Sequence, residues 1–305
     1  YRLPAFSPDG SQLAVVAGNS LLTFDTATGE QLAASAFGSL VNPNSLLYTV
    51  EGDRILFGAS VQQSALMSPS QELRVLDAET LEQVDDWGRH SAERYNAEYD
   101  VYIGDDGSFP APGIAVLSRD GDKVYRASII GAGQLVPGVA DDYPNGVMLV
   151  TGRTFPDGRT AEVLRTYELT GPNTPSTREV VLSEREPERG PSVGLPPVFT
   201  PDGDYLIESG VIYTADDWTD LATYTALHTI DGLPPQGFVV LDGENGPVVL
   251  FRDDENGDLV LADVGTGERL DAFPVDLAGG RLTLSPDGRH IAATFWGLTM
   301  LGLPE

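Results

Sequence analysis

One local pattern, a pair of turns that separates three apolar runs, constrains the fold of this chain more than any other feature. It first occurs in residues 6–32, FSPDGSQLAVVAGNSLLTFDTATGEQL. In the SPDG turn at 7–10, proline fixes a φ of about −65°, which suits the start of a turn, and glycine adopts the positive φ that the end of the turn requires. The DTATG segment at 25–29 closes a second hairpin in the same way. The stretch therefore predicts short antiparallel strands joined by tight turns.

Both turns recur along the chain, which indicates an internal repeat. Each SPDG-type turn precedes a short apolar run, and each aspartate-led turn follows a strand. A single unit has too little apolar surface to fold alone, so we expect successive units to pack face to face. The SPDG-type turns lie at residues 7–10, 51–53, 119–121, 155–158, 200–203 and 285–288, and the aspartate-led turns at 25–30, 77–82 and 263–268.

The spacing of these turns predicts seven units. From position 8 to position 286 there is room for six intervals of about 46 residues, close to the roughly 40 to 45 residues of a four-stranded propeller blade. Residues 108–113 and 131–144 interrupt the pattern, so six units, with the third and fourth fused, are the alternative. The units are placed at residues 3–36, 45–87, 98–130, 145–182, 196–227, 237–273 and 280–302, and the last has room for only three strands.

These units resemble the WD40-like and YVTN-type β-propeller repeats of bacterial proteins. The SPDG turn and the DTATGE and DAETLE turns carry the resemblance, which extends over essentially the whole chain. It implies an all-β propeller with seven blades of antiparallel strands, or six in the alternative count, and a last blade that is short of its outer strand. No Gly-His pair precedes the units, and other pairs replace the Trp-Asp of the WD40 pattern, namely Phe24-Asp25, Leu76-Asp77 and Ala262-Asp263.

We expect residues 1–305 to form a single β-propeller domain that is monomeric. The chain begins without methionine, directly on a strand-like segment. For that reason the domain is expected to be excised from a longer bacterial protein.

The strong negative charge of the chain limits the partners that it can bind. With 46 acidic and 18 basic side chains, the formal charge is −28. Such a surface repels phosphate backbones and anionic lipids, so we expect no nucleic-acid binding. No apolar run approaches the roughly 18 residues that span a bilayer, so no direct membrane insertion is expected. The absence of cysteine excludes disulfides and thiolate metal sites, and the compartment, extracytoplasmic or cytoplasmic, stays open.

No catalytic motif that spacing would reveal occurs in the chain. The P-loop, G-x-S-x-G, H-E-x-x-H and a G-x-G-x-x-G in a strand-to-helix setting are all absent. The sequence therefore favours a non-catalytic binding or scaffolding module, for protein–protein interaction or ligand sensing, with a protein or peptide partner. The alternative is a propeller enzyme of the lactonase or hydrolase kind with a site in the central channel, because such sites combine residues from several units.

Two segments between the units are candidate binding sites, since insertions on a rigid scaffold often carry function. Residues 87–95 are rich in aromatic and cationic side chains in an otherwise acidic protein. The alternative for this segment is that its tryptophan packs between blades and its charged groups are solvated. Residues 131–144 form a long connector between units. The alternative for this segment is a disordered or variable connector without a binding function. The candidates are Trp87, Arg89, His90, Arg94 and Tyr95 in the first segment and Asp141, Asp142 and Tyr143 in the second.

No cofactor is predicted, and calcium is the alternative that the sequence leaves open. Asp254, Asn256 and Asp258 have the alternate spacing of a calcium-binding loop, but Leu259 stands where an EF-hand requires glycine. Asn256-Gly257 is a favoured dipeptide of the type I′ hairpin turn. A two-residue turn between strands is therefore preferred to a metal site.

Overall fold

The structure is a computed structural model, and in the part of the chain that it describes every regular element is a β-strand. Within that part no helix is long and apolar enough to cross a bilayer. The described residues are 2–38, 41–62, 70–96, 100–105, 113–128, 133–135, 146–154, 160–168, 176–185, 198–200, 202–208, 210–216, 225–234, 237–253, 257–274, 281–294 and 298–302.

The described strands form seven antiparallel sheets, numbered here in chain order, in which each strand pairs with its neighbours in sequence. Sheet 1 contains Arg2–Phe6 (β1), Gln12–Ala17 (β2), Ser20–Asp25 (β3) and Gln31–Ala36 (β4). Sheet 2 contains Val41–Tyr48 (β5), Arg54–Val61 (β6), Ser70–Asp77 (β7) and Gln83–Asp86 (β8). Sheet 3 contains Arg94–Asn96 (β9), Val101–Asp105 (β10), Gly113–Ser118 (β11) and Lys123–Ser128 (β12).

The remaining sheets have the same meander order. Sheet 4 contains Gly133–Leu135 (β13), Gly146–Thr154 (β14), Thr160–Glu168 (β15) and Ser176–Arg185 (β16). Sheet 5 contains Val198–Phe199 (β17), Leu206–Glu208 (β18), Val211–Thr214 (β19) and Thr225–Thr229 (β20). Sheet 6 contains Val239–Gly243 (β21), Gly246–Arg252 (β22), Leu259–Asp263 (β23) and Arg269–Phe273 (β24). Sheet 7 has three described strands, Arg281–Leu284 (β25), His290–Thr294 (β26) and Leu298–Gly302 (β27).

The chain divides into two compact units, each with apolar cores between its sheets. Unit 1 comprises Tyr1–Arg126 and Leu277–Glu305, and unit 2 comprises Ala127–Asp276. In unit 1, apolar side chains fill the spaces between sheets 7 and 1, between sheets 1 and 2, and between sheets 2 and 3. In unit 2, an equivalent core joins sheets 5 and 6. The predicted face-to-face packing of successive repeats is therefore present inside each unit.

The SPDG-type turns close with side-chain hydrogen bonds that their sequences specify. Ser7 Oγ donates to Asp9 Oδ1 at 2.6 Å, and the same carboxylate oxygen accepts the backbone N–H of Ser11 at 3.0 Å. The hydroxyl of Thr200 donates to Asp202, and that of Ser285 to Asp287, each at 2.5 Å. These aspartates are turn-forming groups, as their recurrence predicts.

The aspartate-led turns share a second set of bonds. Oδ1 of Asp25 accepts the N–H of Thr28 at 2.7 Å and its hydroxyl at 2.8 Å. Asp77 and Asp263 bind Thr80 and Thr266 in the same way. In sheets 1 and 2 the residue after the aspartate donates its N–H to the turn between the first two strands, which ties the two turns of a sheet together. In sheet 6 the corresponding N–H of Val264 binds the carbonyl of Pro247, near the start of β22.

A β-bulge recurs in the outer strand of sheets 1, 2, 5 and 6, just after the preceding turn. In each case one residue of the outer strand lacks a partner, and that residue is aliphatic and about half exposed. The bulge turns the extra side chain away from the packed face of the sheet. The four residues are Leu32 (49%), Val84 (55%), Leu227 (45%) and Leu270 (52%).

The predicted boundaries of the third and fourth units differ from the sheets in the structure. Sheet 3 begins at Arg94 rather than at position 98, and its SPDG-type turn at 119–121 joins the third and fourth strands, whereas the turns at 7–10 and 285–288 join the first and second. Sheet 4 begins with β13 inside the segment predicted to be a connector. The same local turn chemistry can join either pair of strands, because it depends on four residues and not on their place in the sheet. The third and fourth sheets are separate, and the number of blades stays a prediction.

Candidate functional site

Three aromatic rings from sheets 2 and 3 pack together where the candidate segment 87–95 joins the two sheets. The ring centroids of Trp87 and Tyr102 are 5.6 Å apart, and those of Tyr95 and Tyr102 are 5.1 Å apart. Trp87 is 8% exposed and Tyr102 is fully buried. A Cβ on Gly121 would lie 2.3 Å from the Trp87 ring, so this close approach requires glycine. Trp87 therefore packs between sheets 2 and 3, which is the alternative to a binding role that the sequence analysis gave for this residue.

Charged side chains from three turns lie beside this aromatic cluster. Arg119 forms ion pairs with Glu51 and, at 3.8 Å, with Asp100. Asp100 also accepts a hydrogen bond from the hydroxyl of Tyr95. Arg119, Glu51 and Asp100 are each about half exposed, at 47%, 40% and 53% of their side-chain surface. We call Glu51, Tyr95, Asp100 and Arg119 the charged cluster.

The electrostatics of the charged cluster are set by its carboxylates. The hydrogen bond to Asp100, together with burial, raises the pKa of Tyr95 to about 12. Burial raises the pKa of Tyr102, whose hydroxyl oxygen accepts the N–H of Val50 at 3.3 Å. Both phenols therefore stay protonated at neutral pH, and the cluster presents a single cation between two carboxylates.

The remaining candidates of the first segment have different surroundings. Arg89 is exposed, and His90 is half-buried with its N–H bonded to the carbonyl of Gly88. Arg94 lies in β9 and pairs with Ile103. Of the predicted residues, the structure thus brings Trp87 and Tyr95 together around Tyr102, and Arg89 lies on the surface of the same connection. Asp141, Asp142 and Tyr143 lie outside the described residues.

The sequence did not single out three members of the charged cluster, Glu51, Asp100 and Arg119. The turn sequences nevertheless depart from the SPDG pattern at two of these three residues. Glu51 stands at the position of the turn-closing aspartate, whereas Arg119 replaces the proline ring with a long cationic side chain beside the retained Asp120. The side chains of Glu51 and Arg119 meet in an ion pair between two turns.

The recurring turn carboxylates accept hydrogen bonds within their own turns, and these bonds account for their lowered pKa values. Hydrogen bonds from Ser7 and Ser11 lower the pKa of Asp9, and that from Ser285 is the main cause of a lowered pKa at Asp287. At Asp25 the hydroxyl of Thr28 is the main cause of the lowered pKa, followed by the N–H of Thr28. At Asp77 the N–H of Thr80 contributes most to the lowered pKa, followed by the hydroxyl of Thr80. These carboxylates are ionised at neutral pH and stabilise turns.

The candidate calcium loop is a longer turn than the sequence predicted. Asp253 donates its N–H to the carbonyl of Asp258 at 2.8 Å, and Gly257 donates to Asp253 at 2.8 Å. The hairpin is therefore confirmed. The prediction of a two-residue turn at Asn256-Gly257 is wrong, because the hydrogen bond from Asp253 to Asp258 encloses four residues, 254–257. Asp254 and Asn256 lie outside the described residues, and among the described ones no group of three His, Asp or Glu could hold a metal ion.

No protein-family model matches the chain, and no curated protein matches it in sequence. Solved structures match it over its whole length. A chain from the crystal structure of the mitotic checkpoint complex is 11% identical, with a TM-score of 0.65 over 100% of this chain and 87% of that one. The C-terminal WD40 domain of Sif2 is 12% identical, with a TM-score of 0.58 over 100% and 96%. A chain of Kuenenia stuttgartiensis hydrazine synthase is 14% identical, with a TM-score of 0.59 over 98% and 94%.

These likenesses show the fold. Together with the all-β meander sheets, they establish a WD40-like β-propeller, which confirms the fold that the repeats predicted. At this level of identity they leave the function to be argued from the site.

Proposed function

We propose that this chain is a non-catalytic protein-interaction module that binds a partner protein through the charged cluster and the adjacent Arg89. The observation that carries the proposal is the half-exposed Arg119, which pairs with Asp100. Asp100 in turn accepts a hydrogen bond from Tyr95, one of three packed rings with Trp87 and Tyr102. Arginine and aromatic side chains held rigidly at the surface are typical of the residues that dominate protein interfaces.

The architecture supports a recognition role for this surface. Each charged side chain comes from a tight turn or a short strand, and the turns belong to two sheets that share one apolar core. A partner would therefore meet groups whose positions are fixed before binding, which lowers the entropic cost of association. The strongly acidic surroundings favour a partner that contributes basic groups.

The turn carboxylates are structural and are not candidates for general acids. Asp9, Asp25, Asp77 and Asp287 have lowered pKa values because they accept hydrogen bonds within their own turns. A general acid needs a pKa near the working pH, so these recurring residues do not serve as proton donors. The structurally similar chains come from an assembly of checkpoint proteins and from an enzyme, so fold likeness favours neither class.

Selection from a phage-displayed library of random dodecapeptides on the immobilised chain tests the proposal. We expect peptides that bind the protein, and we expect Arg119→Ala to weaken their binding by at least about tenfold, as loss of an interface hot spot does. Arg289→Ala is the matched control, because Arg289 is an exposed arginine in the SPDG-type turn of sheet 7. Its effect should stay within about twofold.

Two results would contradict the proposal. One is a selection that enriches no binding peptide, and the other is equal loss of affinity in both variants. Because an exposed ion pair contributes only about 0 to 1 kcal/mol to stability, Arg119→Ala is expected to fold, and its melting curve checks this. Hydrolysis of a lactone or ester by the purified chain would instead support the enzyme alternative.

A further inference from the structure

A groove of about 410 Å³ lies between sheets 1 and 2 in unit 1, and no residue of the charged cluster lines it. Its floor consists of buried apolar side chains, among them Leu21, Phe57 and Leu81. Phe37 stacks against Phe57 with ring centroids 5.3 Å apart. The exposed residues along its rim are Ala36, Gly38, Thr80, Glu82 and Gln83. An apolar floor with a polar rim is the usual anatomy of a binding pocket.

The turn that borders the groove departs from its counterparts at one position. Four turns close with the same backbone hydrogen bonds and have a positive φ at their fifth residue. Three of these residues are glycine, and the fourth is Leu81, with a φ of 57°. Leu81 therefore adopts a backbone conformation that L-residues avoid, and its side chain is placed in the groove floor. Strain of this kind concentrates at functional sites.

The charge around the groove is negative. The one arginine among its lining residues, Arg74, lies 2.8 Å from Glu72, which neutralises it. Beyond the rim, β8 continues with Asp85 and Asp86, and the neighbouring turn carries Glu79, all of them exposed. A ligand that covers the apolar floor would place its flanking groups next to these carboxylates.

The backbone beside the groove is open to an extended ligand. Ser35 and Ala36 belong to β4, the outer strand of sheet 1. No described strand pairs with the outer edge of β4. An unpaired edge offers main-chain donors and acceptors to an added strand.

We propose that this groove is a second docking site, which binds an extended segment of a partner protein that carries a large apolar side chain next to arginine or lysine. The apolar side chain occupies the floor above Leu81 and Phe57, and the basic residues pair with Glu82 and the acidic end of β8. This proposal rests on the proposed function, because both assume that the ligand is a segment of a partner protein. The two proposals use different surfaces.

The test uses the same random dodecapeptide library with variants that block the groove. Ser35→Trp places a large ring in the groove, because Ser35 lines it and pairs with Leu21 on the face of β4 that meets sheet 2. We expect it to weaken the groove-binding peptides by at least about tenfold. Ala34→Trp is the matched control, because Ala34 is exposed, pairs with Leu22 on the opposite face of β4 and does not line the groove. Its effect should stay within about twofold.

A second pair of variants tests the charge. Glu82→Lys and Glu268→Lys change the net charge equally, and both residues occupy the last position of an aspartate-led turn and are exposed. We expect Glu82→Lys to weaken binding several-fold more than Glu268→Lys at about 0.05 M NaCl, and the difference to shrink at about 0.5 M NaCl, where charges are screened.

The outcomes separate this proposal from the proposed function. Peptides that combine an apolar residue with arginine or lysine and are lost only in Ser35→Trp support the groove site. Peptides that are insensitive to Ser35→Trp but sensitive to Arg119→Ala overturn the groove site and leave the proposed function intact. An enrichment of acidic peptides in the groove overturns the charge argument, and a library without any binder contradicts both proposals.

Discussion

At the scale of single residues, Leu81 combines two opposing effects. Its side chain is 2% exposed in the core between sheets 1 and 2, which stabilises the fold, while its φ of 57° is unfavourable for any residue with a Cβ. The equivalent residues Gly29 and Gly267 avoid this strain but bury no side chain. The two contributions can be separated by substitution.

We predict that Leu81→Gly destabilises the protein less than Leu81→Ala, by about 1 kcal/mol, because both lose the buried side chain but only alanine keeps the left-handed strain. Leu76 is the control, since it is buried in the regular strand β7. There the order should reverse, with alanine better than glycine. Free energies of unfolding from urea titrations check both pairs, and the same order at the two sites would contradict the prediction.

The turn aspartates predict how stability depends on pH. Their pKa values are lowered in the folded state from the ordinary 3.8, so the folded protein binds fewer protons than the unfolded chain in this range. The stabilisation is therefore present above the unfolded pKa and lost as the pH falls through the folded pKa. We expect the urea midpoint to fall steeply below about pH 4, and less steeply in a variant with Asp9→Asn and Asp287→Asn. An unchanged slope in that variant would count against the assignment.

At the scale of elements, the outer strands of sheets 1, 2, 5 and 6 each present a bulge near the preceding turn. The unpaired residue of each bulge is aliphatic, at Leu32, Val84, Leu227 and Leu270, and about half of its surface meets solvent. A side chain in this position removes little apolar area from water on folding, so it contributes little to stability.

We predict that Leu32→Thr or Leu270→Thr changes the free energy of unfolding by no more than about 0.5 kcal/mol. By contrast, Leu13→Ala or Ile55→Ala should cost about 2 to 5 kcal/mol, because these side chains are fully buried. Chemical denaturation of the four variants measures the difference. A cost of core size at Leu32 would show that the bulge is a packed element and not an outward one.

Turns and sheet pairing could be predicted from the sequence to different extents. The turns at 7–10 and 25–29 depend only on residues a few positions apart, and both are present as predicted, closed by bonds to Asp9 and Asp25. The placement of sheets 3 and 4 was partly wrong, because the turn at 119–121 has the chemistry of the others but joins different strands.

At the scale of the whole molecule, the net charge of −28 is the dominant electrostatic property. Mutual repulsion among acidic groups destabilises a compact state, and salt screens it over about 10 Å at 0.1 M. We predict that the melting temperature rises as NaCl increases from about 0.01 M to about 0.5 M. Calorimetry in NaCl measures the shift, and a melting temperature that is constant or falls would contradict it. The same screening should slow the association of basic peptides.

The sequence alone determined the repeat, the all-β class, the face-to-face packing of successive units and the acidic character of the surface, because each follows from local turn chemistry, apolar periodicity or composition. It also indicated residues 87–95 as a place of interest. Only the tertiary structure decided which side chains meet there. Tyr102 and Arg119 are distant in sequence from Trp87 and Glu51, and only the packing of sheet 2 on sheet 3 brings them together. The groove over Leu81 likewise exists only between two sheets, so no spacing within either repeat could have revealed it.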